Sequence, residues 1–134
     1  MLSFNEVYET LASSGEKEFA RVCAAADSVR ANSAGDEVHI RGLFEISNRC
    51  RRDCLYCGLR KSNLSVARYQ IDEEQILSVV GSLSRRGVKT VVLQSGEDPA
   101  LTADRVARLV DSIKSSFDMA VTLSFGEYSR KDYL

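Results

Sequence analysis

The sequence predicts an α/β fold: a partial (βα) TIM-type barrel of about three βα units, preceded by two N-terminal helices. Three observations carry this. From residue 38 onward, short β-branched apolar runs alternate with stripes spaced for amphipathic helices. Repeated βα units imply a parallel sheet with right-handed crossovers. The chain has 134 residues, whereas a closed (βα)₈ barrel takes more than about 200. Its last segment reads as the start of a helix with no C-cap. We therefore expect residues 1–36 to be a helical appendage and 37–134 the first part of a longer barrel, truncated or cut from a larger protein.

Ser3 with Glu6 and Ser13 with Glu16 have capping-box spacing, which places a helix behind each pair. The polar stretch "ANSAGDE" (31–37) is expected to break the second helix, and "VHIRGLFEIS" (38–47) to form the first strand. Asp72 and Gln75 open the next helix, with Ile76, Val79, Val80 and Leu83 as its apolar stripe and Gly87 as its C′ residue. "VKTVVLQSG" is the near-continuous apolar run of a buried parallel strand. Thr102 then caps a helix carrying Val106, Leu109, Val110 and Ile113 on one face, "MAVTLSFGE" is the third strand, and "YSRKDYL" opens a further helix.

At 44% apolar and 28% charged residues the composition is that of a folded domain. A net charge of −1 excludes a global attraction to nucleic acid or anionic membrane, so no nucleic-acid or membrane partner is expected. The N-terminal segment is acidic where a signal peptide is basic, and no window has the length of a membrane span. A cytoplasmic location is expected. There, clustered cysteines point to metal or redox chemistry rather than to disulfides.

Cys50, Cys54 and Cys57 fall in the loop after the first strand. Three thiolates leave a structural zinc one ligand short. Neither Cys23, read as a small hydrophobe buried in its helix, nor His39, read as a structural residue of the first strand, is placed to supply it. Three thiolates do suit a 4Fe-4S cube with one open iron. Arg49, Arg51, Arg52, Arg60 and Lys61 surround the motif and are expected to favour thiolate.

The segment "CRRDCLYC", C-x3-C-x-aromatic-C, resembles the signature of the radical S-adenosylmethionine (SAM) superfamily. The stretch "RGLFEISNRCRRDCLYCGLRKSN", the pair Arg68-Tyr69, "VVLQSGEDP" and "VTLSFGE" resemble the HydE-type maturases of iron-iron hydrogenase, in the biotin synthase-like subgroup. The resemblance runs from about Val38 to Tyr133. It implies that Cys50, Cys54 and Cys57 hold the cluster, whose open iron is chelated by SAM. It implies too that Tyr56 offers its backbone to the adenine and that the Ser95-Gly96-Glu97 turn meets the SAM ammonium. Arg41, Gln94, Thr122 and Ser124 match positions lining the barrel interior and its anion or substrate sites, all but Arg41 near the C-terminal ends of their strands.

The activity implied is reductive SAM cleavage to a 5′-deoxyadenosyl radical, which attacks a small iron carbonyl-cyanide cysteine complex. The implied partners are that small-molecule substrate, a reducing electron donor and other hydrogenase maturation proteins. Two alternatives stay open: a biotin synthase-like or methylornithine synthase-like enzyme with an organic substrate, and a non-catalytic iron-sulfur module or inactive truncated product.

Overall fold

The structure is a computed structural model and describes residues 3–13 and 15–133. The chain divides into two compact units, residues 1–39 and 40–134.

The first unit holds α1 (Phe4–Ala12) and α2 (Glu16–Ala34). The Ser3–Glu6 capping box forms in full: the Glu6 N–H donates to Ser3 Oγ, and the Ser3 N–H donates to the Glu6 carboxylate at 2.7 Å. The expected second box does not form. Ser13 ends α1, its Oγ donating to the Thr10 carbonyl at 3.2 Å, and Gly15 stands as N-cap of α2 without a side-chain bond. The polar stretch expected to break α2 at residue 31 is helical as far as Ala34. There Gly35 stops it at φ +75°, a left-handed conformation that L side chains rarely adopt. Cys23 is exposed rather than buried, because neither helix buries any residue and the described residues of this unit form no core for the thiol to enter.

The second unit runs β1 (Arg41–Ser47), α3 (Glu73–Arg85), β2 (Thr90–Ser95), α4 (Ala103–Ser116), β3 (Ala120–Ser124) and a 3-10 turn at Arg130–Tyr133. All three strands are parallel, in the order β1-β2-β3. β1 starts later than expected, so His39 lies exposed ahead of the strand and not within it. The helix expected over "YSRKDYL" is a single 3-10 turn, and Leu134 lies outside the described residues.

Local chemistry explains the helix ends. The Asp72 side chain accepts the Gln75 N–H and the Thr102 hydroxyl accepts the Arg105 N–H, each satisfying an orphan donor of the first turn. α3 closes in a Schellman pattern: the Gly87 N–H donates to Ser84 O, the Val88 N–H to Leu83 O, and Gly87 takes φ +82°.

Ile46, Val91 and Leu93 on one sheet face pack with Ile76 and Val80 of α3 and with Val106, Leu109 and Ile113 of α4. Burying each such side chain contributes about 1.5–3 kcal/mol. Val79 departs from the expected stripe and is 40% exposed. α3 is turned instead toward Leu77 and Gly81, where a Cβ would stand 3.1 Å from the Phe117 ring. Within this unit, the buried residues of α3 and α4 all pack on that one sheet face. The register places Arg41, Leu43 and Glu45 on the opposite face beside Thr90, Val92 and Gln94, and these beside Ala120, Thr122 and Ser124.

Candidate functional site

The cysteine loop leaves β1 at its most buried point. Ile46, Ser47 and Asn48 are all buried, and the chain returns antiparallel at Tyr69–Ile71: the Ile71 N–H donates to Ile46 O at 2.8 Å, and Ser47 bridges Gln70. Cys50 and Cys57 are half-buried, Cys54 is exposed, and all the cysteines are free thiols. The Cys57 N–H donates to Cys54 O at 3.0 Å, making the turn that carries Tyr56, itself 93% exposed.

Side chains hold this loop in shape. Asn48 donates to Ala67 O and accepts the Tyr69 N–H, both at 2.8 Å. Asp53 accepts the Ser62 N–H; hydrogen bonds from Ser62, and then the nearby Arg60 and Lys61, hold its carboxyl below the ordinary range. Of the basic neighbours, Arg60 donates to Cys57 O at 3.1 Å and Arg52 pairs with Glu127. Arg49, Arg51 and Lys61 are exposed.

The Ser95-Gly96-Glu97 turn lies directly against the start of this loop. The Gly96 N–H donates to Ser47 O at 3.0 Å and the Arg51 N–H donates to Glu97 O at 2.9 Å. Gly96 is required by contact: a Cβ there would lie 2.4 Å from Arg49 O and 2.8 Å from Cys50 Cβ. The Gly96 carbonyl also accepts from the Asp98 N–H and the Ser95 hydroxyl. The Glu97 carboxylate accepts the Gly126 and Glu127 N–H groups, both at 3.0 Å. The Glu97 carbonyl, which accepts only the Arg51 N–H, keeps a second lone pair. A cleft of about 360 Å³ opens here, lined by Arg51, Ser95, Glu97, Thr102, Phe125 and Tyr128 among others.

The structure therefore brings together the cysteine loop and the 95–97 turn. Gln94 and Ser124 stand in one row across the sheet face opposite α3 and α4 with Glu45, whose carboxylate accepts the Tyr69 hydroxyl at 2.9 Å. Partial burial, then the Glu45 carboxylate, pushes the Tyr69 hydroxyl above its usual pKa. Thr122 lies one row lower, at mid-strand rather than near the strand end. Arg41 opens β1, two rows below Glu45 on the same face, exposed and outside every ion pair among the described residues.

Asn48, Arg68, Ser47 and Asp98 escaped the sequence reading as site-building residues. All four lie in the stretches that carry the resemblance, but none was given a role there.

The three-thiol donor set suits a polynuclear cluster. Among the described residues no three His, Cys, Asp or Glu side chains converge on one ion position, as a closed tetrahedral zinc site would require. Cysteine thiolates are the donors that iron-sulfur clusters take, and this loop supplies three. No helix among the described residues is long and apolar enough to cross a membrane.

Residues 44–129 match the radical SAM superfamily, and the chain belongs to that superfamily of enzymes. It is 47% identical over 108 residues to the FeFe hydrogenase maturase subunit HydE of Thermotoga maritima, covering 81% of this chain and 31% of that one. It is 29% identical over 105 residues to the 5-amino-6-(D-ribitylamino)uracil–L-tyrosine 4-hydroxyphenyl transferase of Nostoc punctiforme, covering 73% and 28%. Among solved structures, methylornithine synthase (PylB) superposes with TM-score 0.87 at 25% identity, covering 98% of this chain and 40% of that one. HydG of Carboxydothermus hydrogenoformans gives TM-score 0.84 at 22% identity, covering 98% and 31%. The three-stranded parallel α/β arrangement is a partial barrel that matches part of these TIM-type barrel structures, and the chain spans less than a third of the length of the two curated relatives named.

Proposed function

We propose that this chain carries the cluster-binding part, and part of the SAM-binding part, of a HydE-type radical SAM enzyme acting in hydrogenase maturation. The observation that carries the reading is the packing of the Cys50–Cys57 loop on the Ser95-Gly96-Glu97 turn, with no room at Gly96 for even a methyl group. The 47% identity to the T. maritima maturase supports the choice within the superfamily.

In this reading Cys50, Cys54 and Cys57 are the ligands of a 4Fe-4S cluster. When bound, the cluster supplies the electron that breaks a C–S bond of the SAM sulfonium, giving a 5′-deoxyadenosyl radical. The chain's own residues bind and orient. Tyr56 presents its backbone to the adenine, and the 95–97 turn presents carbonyl lone pairs to the ammonium. The sheet face opposite α3 and α4, through Arg41, Gln94, Thr122 and Ser124, meets an anionic or small polar substrate. That substrate is an iron carbonyl-cyanide cysteine complex, the electrons come from a reducing donor, other maturation proteins are partners, and the location is cytoplasmic.

Anaerobic reconstitution with iron and sulfide, followed by electron paramagnetic resonance with and without SAM, tests the reading. It expects a cluster spectrum that shifts when SAM is added. Stoichiometric zinc, or a cluster spectrum indifferent to SAM, overturns it. The superposition on methylornithine synthase favours a second reading, an organic substrate on the same scaffold; product analysis of the reaction separates the two.

A further inference from the structure

Arg68 lies outside the three-cysteine motif, yet its guanidinium joins the two ends of the segment that holds all three thiols. Nη1 donates to Asn48 O at 2.6 Å and to Leu59 O at 2.9 Å. Nη2 donates to Arg60 O at 2.8 Å and to Asn63 O at 3.2 Å. Asn48 enters the segment just before Cys50, and Leu59 and Arg60 leave it just after Cys57. Both terminal nitrogens, with all four of their N–H groups, are thus spent on loop carbonyls. The flanking residues Ala67 and Tyr69 are fixed in turn by the buried Asn48 side chain, so Arg68 acts from a firm base.

We propose that Arg68 is a positioning residue that shapes the cysteine loop before any cluster enters it. The inference rests on the proposed reading of Cys50, Cys54 and Cys57 as ligands. A planar fork with two nitrogens can hold two pairs of carbonyls at a fixed separation, whereas a lysine has one nitrogen and cannot span them. Pre-shaping removes an ordering cost that ligation would otherwise have to meet. The guanidinium's hydrogen bonds all go to carbonyls and none to a thiol. It acts through the backbone on either side of the thiols.

Amide hydrogen exchange of the cluster-free chain provides the test. In Arg68→Lys and Arg68→Ala, the Cys57, Arg60, Lys61 and Asn63 amides, which bond within the loop, should exchange about tenfold faster. The amides of β2 and α4 should keep their parent rates. Methylguanidinium should return the loop of Arg68→Ala toward parent protection, and methylammonium should not. Iron loss to a chelator should be faster from both reconstituted variants than from the parent.

Parent-like loop protection in Arg68→Lys overturns the proposal. So does equal acceleration of loop and core amides, which would make Arg68 a general fold residue. Should Arg68→Ala fail to fold, Arg68→Lys and Arg68→Gln decide by the same criterion. A parent chain that takes up no cluster defeats the ligand reading instead, and leaves the exchange comparison to decide on the clamp.

Discussion

The Ser47 hydroxyl donates to the Asp98 carboxylate at 2.6 Å, joining the buried end of β1 to the turn that follows β2 across 51 positions of chain. Both residues are buried, and the other Asp98 oxygen accepts the Ala100 N–H at 3.0 Å. Ser47 Oγ also accepts the Arg49 N–H at 3.2 Å, so one hydroxyl reaches both the turn and the residue just before the cysteine motif. Leaving a buried partner unsatisfied costs about 1–3 kcal/mol. Ser47→Ala and Asp98→Asn should each destabilise by about that amount, and the double variant by clearly less than their sum. A urea-denaturation double-mutant cycle measures this; a coupling energy within ~0.5 kcal/mol of zero would mean the bond does not join the two elements.

Gly96→Ala tests the contact between the turn and the loop. The added methyl would meet Arg49 O at 2.4 Å, a backbone atom that cannot rotate aside. Overpacking of this kind costs about 1–3 kcal/mol. Iron uptake on anaerobic reconstitution should fall with it, because the displaced segment carries Cys50. Gly58→Ala is the control, since a Cβ there has nothing within 4 Å and the residue lies next to Cys57. Equal losses in the two variants would remove the steric argument for Gly96.

Features set by neighbours in the chain were legible in the sequence, and features set by distant partners were not. The caps at Asp72 and Thr102 and the αL glycine at 87 each depend on bonds spanning a few residues, and each forms where its spacing places it. The three parallel strands follow from short apolar runs between helical stripes. The Ser13–Glu16 spacing misled because Ser13 closes the preceding helix, and a spacing alone does not tell a cap from a stop. Cys23 misled because apolar neighbours along a helix predict burial only where a core exists to receive them. In the site, the cysteine motif was visible as a compact pattern. Arg68, Asn48 and Asp98 build the site through partners 5 to 51 positions away, a relation that no local pattern records.

The ligand assignment separates the four cysteines cleanly. Cys50→Ala, Cys54→Ala and Cys57→Ala should each lower bound iron and sulfide about tenfold after anaerobic reconstitution, because each thiolate is taken to hold its own iron. Cys23→Ala should bind as the parent does, since that exposed thiol lies on α2 in the other compact unit. Iron and sulfide analysis per chain reads the outcome. A Cys54→Ala variant with parent-level iron would break the assignment, as would a Cys23→Ala variant without it.

Tyr128 couples the segment after β3 to the start of α4 in a pH-dependent way. Its hydroxyl donates to Leu101 O at 2.7 Å. Burial, and then the negative charges of Glu97, Tyr133 and Asp132, push the hydroxyl above its ordinary value of 10.0. The proton is therefore held more tightly in the folded state than in the unfolded one. The resulting stability is fully present below pH 10.0 and is lost as pH rises through the higher folded value. Tyr128→Phe should cost about 1 kcal/mol near neutrality, the worth of one hydrogen bond. The gap between parent and variant should stay level up to pH 10.0 and then close. Urea midpoints across that range, with tyrosinate absorbance of both proteins, give the measurement. A gap that widens in alkali, or a parent whose tyrosines all titrate at the ordinary value, would show that Tyr128 is not held protonated by its surroundings.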